Sequence, residues 1–117
     1  MTDLNWLEIA TQTQTRTRPG GANACDAVAM ALRRYDCPDL AVALEHRVRF
    51  HEDKYPDVPR VGDGQDYAVH LVQELMDAAQ YAWIVSQERE SADWQHVYAE
   101  ITALLILVAD LIEDEHE

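Results

Sequence analysis

Residues 65–87 read QDYAVHLVQELMDAAQYAWIVSQ, a stretch with neither glycine nor proline. Its apolar residues recur at steps of three and four, which return them to one side of a helix. At 100° per residue, His70, Glu74, Asp77 and Tyr81 fall within about 60° of one another and form one polar stripe. Leu71, Leu75, Ala78, Ala82 and Val85 lie beside it, and Val72, Met76, Ala79 and Trp83 continue the apolar arc. Most of this helix therefore seeks burial, and its carboxylates are expected to border a core. A carboxylate pair there is costly unless its charge is compensated, as by a divalent cation, although solvated acids on the polar remainder meet the same spacing.

Outward from this stretch, glycine and proline cluster at Pro19-Gly20-Gly21, at Pro38 and from Tyr55 to Gly64, with helical patterns between. Leu4 to Ala10 reads as a short helix with Asp3 as N-cap. Thr11 to Arg18 follows as a loop whose alternating threonines also suit an edge strand. Ala24 to Tyr35, capped by Asn23, and Asp39 to about Lys54, opened by Pro38-Asp39, are the next helices. The last helix spans Trp94 to Glu113, capped by Asp93, with Trp94, Val97, Ile101, Leu104, Val108 and Leu111 along one face. The fold class predicted is all-α, a four-to-five-helix bundle forming one domain over 1–117, with an N-terminal helix and loop at 1–23 and a helical core at 24–117. Apolar arcs wider than one neighbour covers predict a homodimer or homotetramer.

Composition narrows the function. Hydrophobic residues make up 48% of the chain and charged ones 26%, as in a folded globular protein. Nine Lys and Arg against 22 Asp and Glu give a net charge of −13, which disfavours direct nucleic-acid binding through phosphates. Cys25 and Cys37 read as small apolar residues in a reducing cytoplasm. No basic region followed by an apolar one opens the chain, and the longest apolar run, Ala103 to Ala109, is short of the ~20 residues a spanning helix needs, so no membrane partner is expected. Walker, dinucleotide-binding, HExxH and Cys-pair zinc motifs are missing, and the ExxH at Glu113 to His116 lacks the second copy that a di-iron bundle needs.

Glu74 and Asp77 project two oxygen donors to one side, which suits Mg²⁺ held by a few carboxylates plus phosphates and water. If the third and fourth helices form a hairpin across Tyr55 to Gly64, Glu45 lies opposite Glu74 as a third ligand, with Glu52 an outlying candidate on the same face.

QELMDAAQYAW (73–83) resembles the second metal motif of the MazG-like all-α nucleoside triphosphate pyrophosphohydrolases, an ExxD inside a helix of the form ELxDxxxYL. Glu74, Leu75, Asp77 and Tyr81 match it. His51, Asp53-Lys54-Tyr55 and GDGQDY (62–67) are similar to the short phage-encoded members, in which a lysine-tyrosine turn and a Gly/Asp loop precede the acidic helix. The resemblance covers roughly Glu45 to Glu115. The family's first motif, EExxE, is not met, since the preceding helix reads ALEHRVRFHEDKY (43–55) with only Glu45 and Glu52. A second register takes QELMD as the first motif and AEITALLILVADLI (99–112) as the second, with Glu100 in place and Ala103 where the aspartate belongs.

The resemblance implies a helical bundle, usually dimeric or higher, that binds a (deoxy)nucleoside triphosphate with Mg²⁺ or Mn²⁺ and releases the monophosphate and pyrophosphate. Glu45, Glu74 and Asp77 would be its catalytic and metal-holding carboxylates, with Glu52 beside them. Bound metal also offsets the repulsion between a triphosphate and so acidic a protein. Lys54, Arg47 and Arg49 are the nearest cations, and Arg16 and Arg18 lie in a loop able to fold over phosphates, though such residues are more often plain surface charges. Tyr81 and Trp83 suit stacking on a base, guessed to be a deoxypurine, although large aromatics at helical spacing more often belong to a core or dimer interface. His70 suits orienting a ligand or water, or simple partial burial. The rival function is a non-enzymatic acidic helical interaction protein, such as a phage inhibitor or nucleic-acid mimic, with its carboxylates spread over an exposed face.

Overall fold

The computed structural model describes residues 4–54 and 59–116, with backbone alone for 51–54. Five helices form: α1 (Trp6–Thr11), α2 (Ala24–Arg34), α3 (Pro38–Lys54), α4 (Tyr67–Arg89) and α5 (Ala92–Glu115). Among the described residues there is no strand, only an isolated bridge between Asn23 and Arg60, so the all-α class holds.

Short polar side chains start the helices. Asn5 accepts from the Glu8 N–H, Asn23 from the Cys25 and Asp26 N–H groups, Asp66 from Ala68 and Val69, and Ser91 from Asp93. Asn23 is the cap expected. Ser91 rather than Asp93 caps α5, because the helix begins two residues earlier than its apolar pattern; Asp3 lies outside the described residues.

The chain divides into two compact units, one of residues 14–65 and one that takes both ends of the chain, 1–13 and 66–117. The division cuts across the expected boundary at residues 23/24, since α1 belongs with α4 and α5. In the unit built from both ends, α4 and α5 form an antiparallel hairpin joined through Glu90 and Ser91, with the Arg89 guanidinium 5.1 Å from the Trp94 ring centroid. Its core is Ile9, Val69, Val72 and Ile112, with Leu4, Trp6, Met76, Leu105 and Val108 against it. At six residues, α1 is too short to persist alone. Gln73 Nε2 ties its end down by donating to the carbonyls of Ile9 (2.8 Å) and Gln12 (2.7 Å), and Trp6 Nε1 donates to Glu113 Oε1 at 3.1 Å.

The apolar face expected along α5 is split. Trp94, Ile101 and Val108 are half-buried, whereas Leu104 and Leu111 remain 48% and 52% exposed, because the apolar arc is wider than α4 covers. By length and composition alone α5 is long and apolar enough to cross a membrane, with mean hydropathy 1.5 over a window that is 6% buried. The unbroken seven-residue run hides this, since Glu100 and Asp110 interrupt a longer apolar helix.

The other unit is the α2–α3 hairpin and the loops on either side of it. Ala29 and Ala41 are its buried helical residues, small enough to let the two helices approach closely. Its loops meet at Asp63, which is fully buried. Asp63 Oδ2 accepts from the Arg60 N–H and Oδ1 from the Gln65 N–H, both at 3.1 Å, and Arg16 Nε lies 3.3 Å from Oδ2. The Asp63 carbonyl accepts from Thr17 (3.1 Å) and Arg18 (3.0 Å). These bonds hold Thr17 and Arg18 in a loop rather than an edge strand. Gly64, at φ +92°, is required here, because a Cβ would run into the Thr17 side chain.

Charge is divided as sharply as structure. The 14–65 unit holds eight basic and eight acidic residues and is neutral, whereas the other holds one basic and 14 acidic residues and carries the whole −13.

Candidate carboxylate site

Within its unit, α4 buries Val69, Val72, Ala82 and Ser86, which turns the stripe of His70, Glu74, Asp77 and Tyr81 to the opposite side. Glu74 and Asp77 are exposed, Tyr81 is 67% exposed, and His70 is half-buried with its ring 5.3 Å from that of Tyr67. The carboxylates therefore do not border the unit's core, and no buried charge calls for a cation. Among the described residues, neither side chain makes a hydrogen bond or ion pair. Two solvated carboxylates one helical turn apart are donors that fit a hydrated Mg²⁺ or Mn²⁺, which keeps several waters and takes its remaining ligands from phosphates.

Glu45 is engaged elsewhere. It lies on α3 in the 14–65 unit, where Arg33 of α2 grips it with both terminal nitrogens, Nη2 to Oε1 at 2.7 Å and Nη1 to Oε2 at 3.3 Å. The fork raises the Arg33 pKa and holds the Glu45 carboxyl below its usual range, the hydrogen bond being the larger cause and burial opposing it. Asp26, Met30 and Arg34 complete a cleft of about 450 Å³ around the pair. Each unit forms its own hairpin, α2 with α3 and α4 with α5; the α3–α4 hairpin expected to bring Glu45 to Glu74 belongs to neither. Among the described residues no three His, Cys, Asp or Glu side chains gather in a set able to hold a metal.

The other expected residues are dispersed. Glu52 and Lys54 fall at the end of α3, where side chains are outside the described set, as is the turn at Tyr55. Arg16 is directed to Asp63, whereas Arg18, Arg47 and Arg49 are exposed. Trp83 is 50% exposed and lines a cleft of about 440 Å³ with Ala79, Gln80, Ile84, Tyr98 and Thr102, between α4 and α5. Tyr98 and Thr102 were not evident from the sequence, although they continue by steps of four from Trp94, the first residue of the apolar row. Asp63 was missed as well, and the flanking Gly62 and Gly64 were its signal, since they free a short carboxylate to bond its own loop.

Comparison of the chain with family models, with curated proteins and with solved structures returns no match.

Proposed function

We propose that the chain is a metal-dependent nucleoside triphosphate pyrophosphohydrolase of the MazG-like kind, converting a (deoxy)nucleoside triphosphate to the monophosphate and pyrophosphate. One observation carries this reading: Glu74 and Asp77 of an ExxD motif stand one turn apart on the solvent side of a long helix, uncommitted to any cation of the chain among the described residues. In this reading Glu74 and Asp77 would hold Mg²⁺ or Mn²⁺. When bound, the ion neutralises phosphate charge and lowers the pKa of a bound water. Whichever of the two carboxylate oxygens faces the attacking water takes its proton as the water adds to the α-phosphorus. The bond from that phosphorus to the bridging oxygen breaks, and pyrophosphate leaves with the electron pair. Tyr81, one turn beyond Asp77 on the same stripe, would meet the nucleoside, whereas Trp83, about 160° around the helix, lines the α4–α5 cleft and lies away from that stripe.

The test is pyrophosphate release from each common NTP and dNTP in Mg²⁺ and then Mn²⁺. Metal-dependent turnover is expected, with Glu74→Gln and Asp77→Asn each losing at least about 100-fold. Absence of turnover, together with a melting temperature that no divalent ion moves, overturns the reading. A non-enzymatic acidic interaction protein would then stand, and the Arg33 grip on Glu45 favours it, because one of the three expected ligands already has a partner.

A further inference from the structure

At one end of the unit built from both chain ends, α1, the start of α4 and the end of α5 enclose a cavity of about 250 Å³. Ile9, Val69 and Ile112, three of the four core residues, form its apolar floor, with Leu4 beside them. Gln73 holds the end of α1 through the Ile9 and Gln12 carbonyls, which keeps that wall in place. The volume falls below the ~300–1,000 Å³ of sites for drug-sized molecules, so the occupant it suits is small.

The rim of the cavity has one sign. Glu8 of α1, Asp66 at the α4 cap and Glu115 of α5 line it, and among the described residues no lysine or arginine does. Neither the Glu8 nor the Glu115 carboxylate makes a hydrogen bond or ion pair among those residues. Asp66 Oδ1 accepts from the Ala68 and Val69 N–H groups, which answers the positive end of α4. The negative end of α5 has no such answer, because its last turn is acidic and holds no basic residue. His116 adds a further acceptor. A carbonyl oxygen only accepts, so His116 Nδ1, 2.9 Å from the Ile112 oxygen, carries the ring proton, and Nε2 of the neutral ring presents a lone pair.

An apolar floor under an anionic rim is the complement of an alkyl chain that ends in an ammonium group. We infer that the cavity binds a small aliphatic amine, its ammonium held by Glu8, Glu115 and His116 Nε2 and its methylenes lying on Ile9, Val69 and Ile112. The three N–H donors of a primary ammonium meet three acceptors, and the two bonds to carboxylates are charge-assisted. A carboxylate or phosphate ligand would face like charge from three acids in a unit that carries −13. A bare divalent ion would gain nothing from the floor, and among the described residues no three of these side chains gather in a set able to hold one.

The inference does not rest on the enzymatic reading, and its test reads binding rather than turnover. The probe is n-pentylamine, titrated into the full chain at neutral pH by calorimetry, with n-pentanol, pentanoate and ammonium chloride as comparisons. Pentylamine is expected to bind saturably, with a dissociation constant on the order of 1 mM or tighter, and each comparison at least about tenfold more weakly. Glu8→Gln and Glu115→Gln should each weaken pentylamine by about tenfold. Glu88→Gln, which removes the same charge at the far end of α4, should leave its binding unchanged. Nuclear Overhauser contacts should join the pentyl methylenes to the methyl groups of Ile9, Val69 and Ile112, a readout that needs no variant. No saturable binding, equal binding of pentanol, an equal loss in Glu88→Gln, or the absence of those contacts overturns the inference.

Discussion

A carboxylate removed from water persists only where its oxygens are satisfied, and Asp63 meets that condition with two backbone amides and Arg16. Asp63→Asn keeps the shape, removes the charge and turns an NH₂ group toward a donor. A loss of about 3 kcal/mol is expected, read as a lower urea midpoint at unchanged slope. Glu45 presents the pH-dependent case. Its folded pKa lies below the unfolded value through Arg33, so its contribution is complete above the ordinary carboxylate range and fades as pH falls through the folded value. The difference in melting temperature between the natural chain and Glu45→Gln should therefore be present at neutral pH and vanish in strong acid. At this scale the carboxylate stripe was legible, since Glu74, Asp77 and Tyr81 need only helical periodicity. The grip of Arg33 on Glu45 was not, because it spans twelve residues and two helices whose pairing no local pattern announces.

Helix ends repay the same comparison. The Asn23 cap and the long α4 follow from side chains adjacent in the chain, so they could be read directly; the starts of α1 and α5 were displaced by two residues where Asn5 and Ser91 act as caps. Both hairpin turns pass through an acidic residue at positive φ, Asp36 at 61° and Glu90 at 43°. Aspartate tolerates the left-handed region better than glutamate does, because its short side chain bonds locally. Glu90→Gly is accordingly expected to stabilise the α4–α5 hairpin by about 0.5–1 kcal/mol and Asp36→Gly to gain less, as paired thermal melts would reveal. The apolar row on α5 was legible as a pattern, but its division into half-buried Trp94, Ile101 and Val108 and exposed Leu104 and Leu111 was not. Periodicity reports that a side chain seeks cover, not which neighbour supplies it.

For the molecule as a whole, chain order conceals the architecture. A unit assembled from both ends of a sequence has no signature in any window, and neither does a charge of −13 confined to it. The chain leaves that unit after Thr13 and re-enters it at Asp66, with 52 residues between. With Thr17 and Arg18 bonded to the Asp63 carbonyl, those residues form a closed ring, and α1 searches for α4 across a short tether instead of a long one. Loop-closure entropy, scaling as (3/2)RT ln n, makes that shortening worth about 2 kcal/mol. Asp63 thus sets the effective concentration at which α1 meets the Gln73 side chain, and opening the ring would loosen that docking while leaving each of its contacts chemically intact.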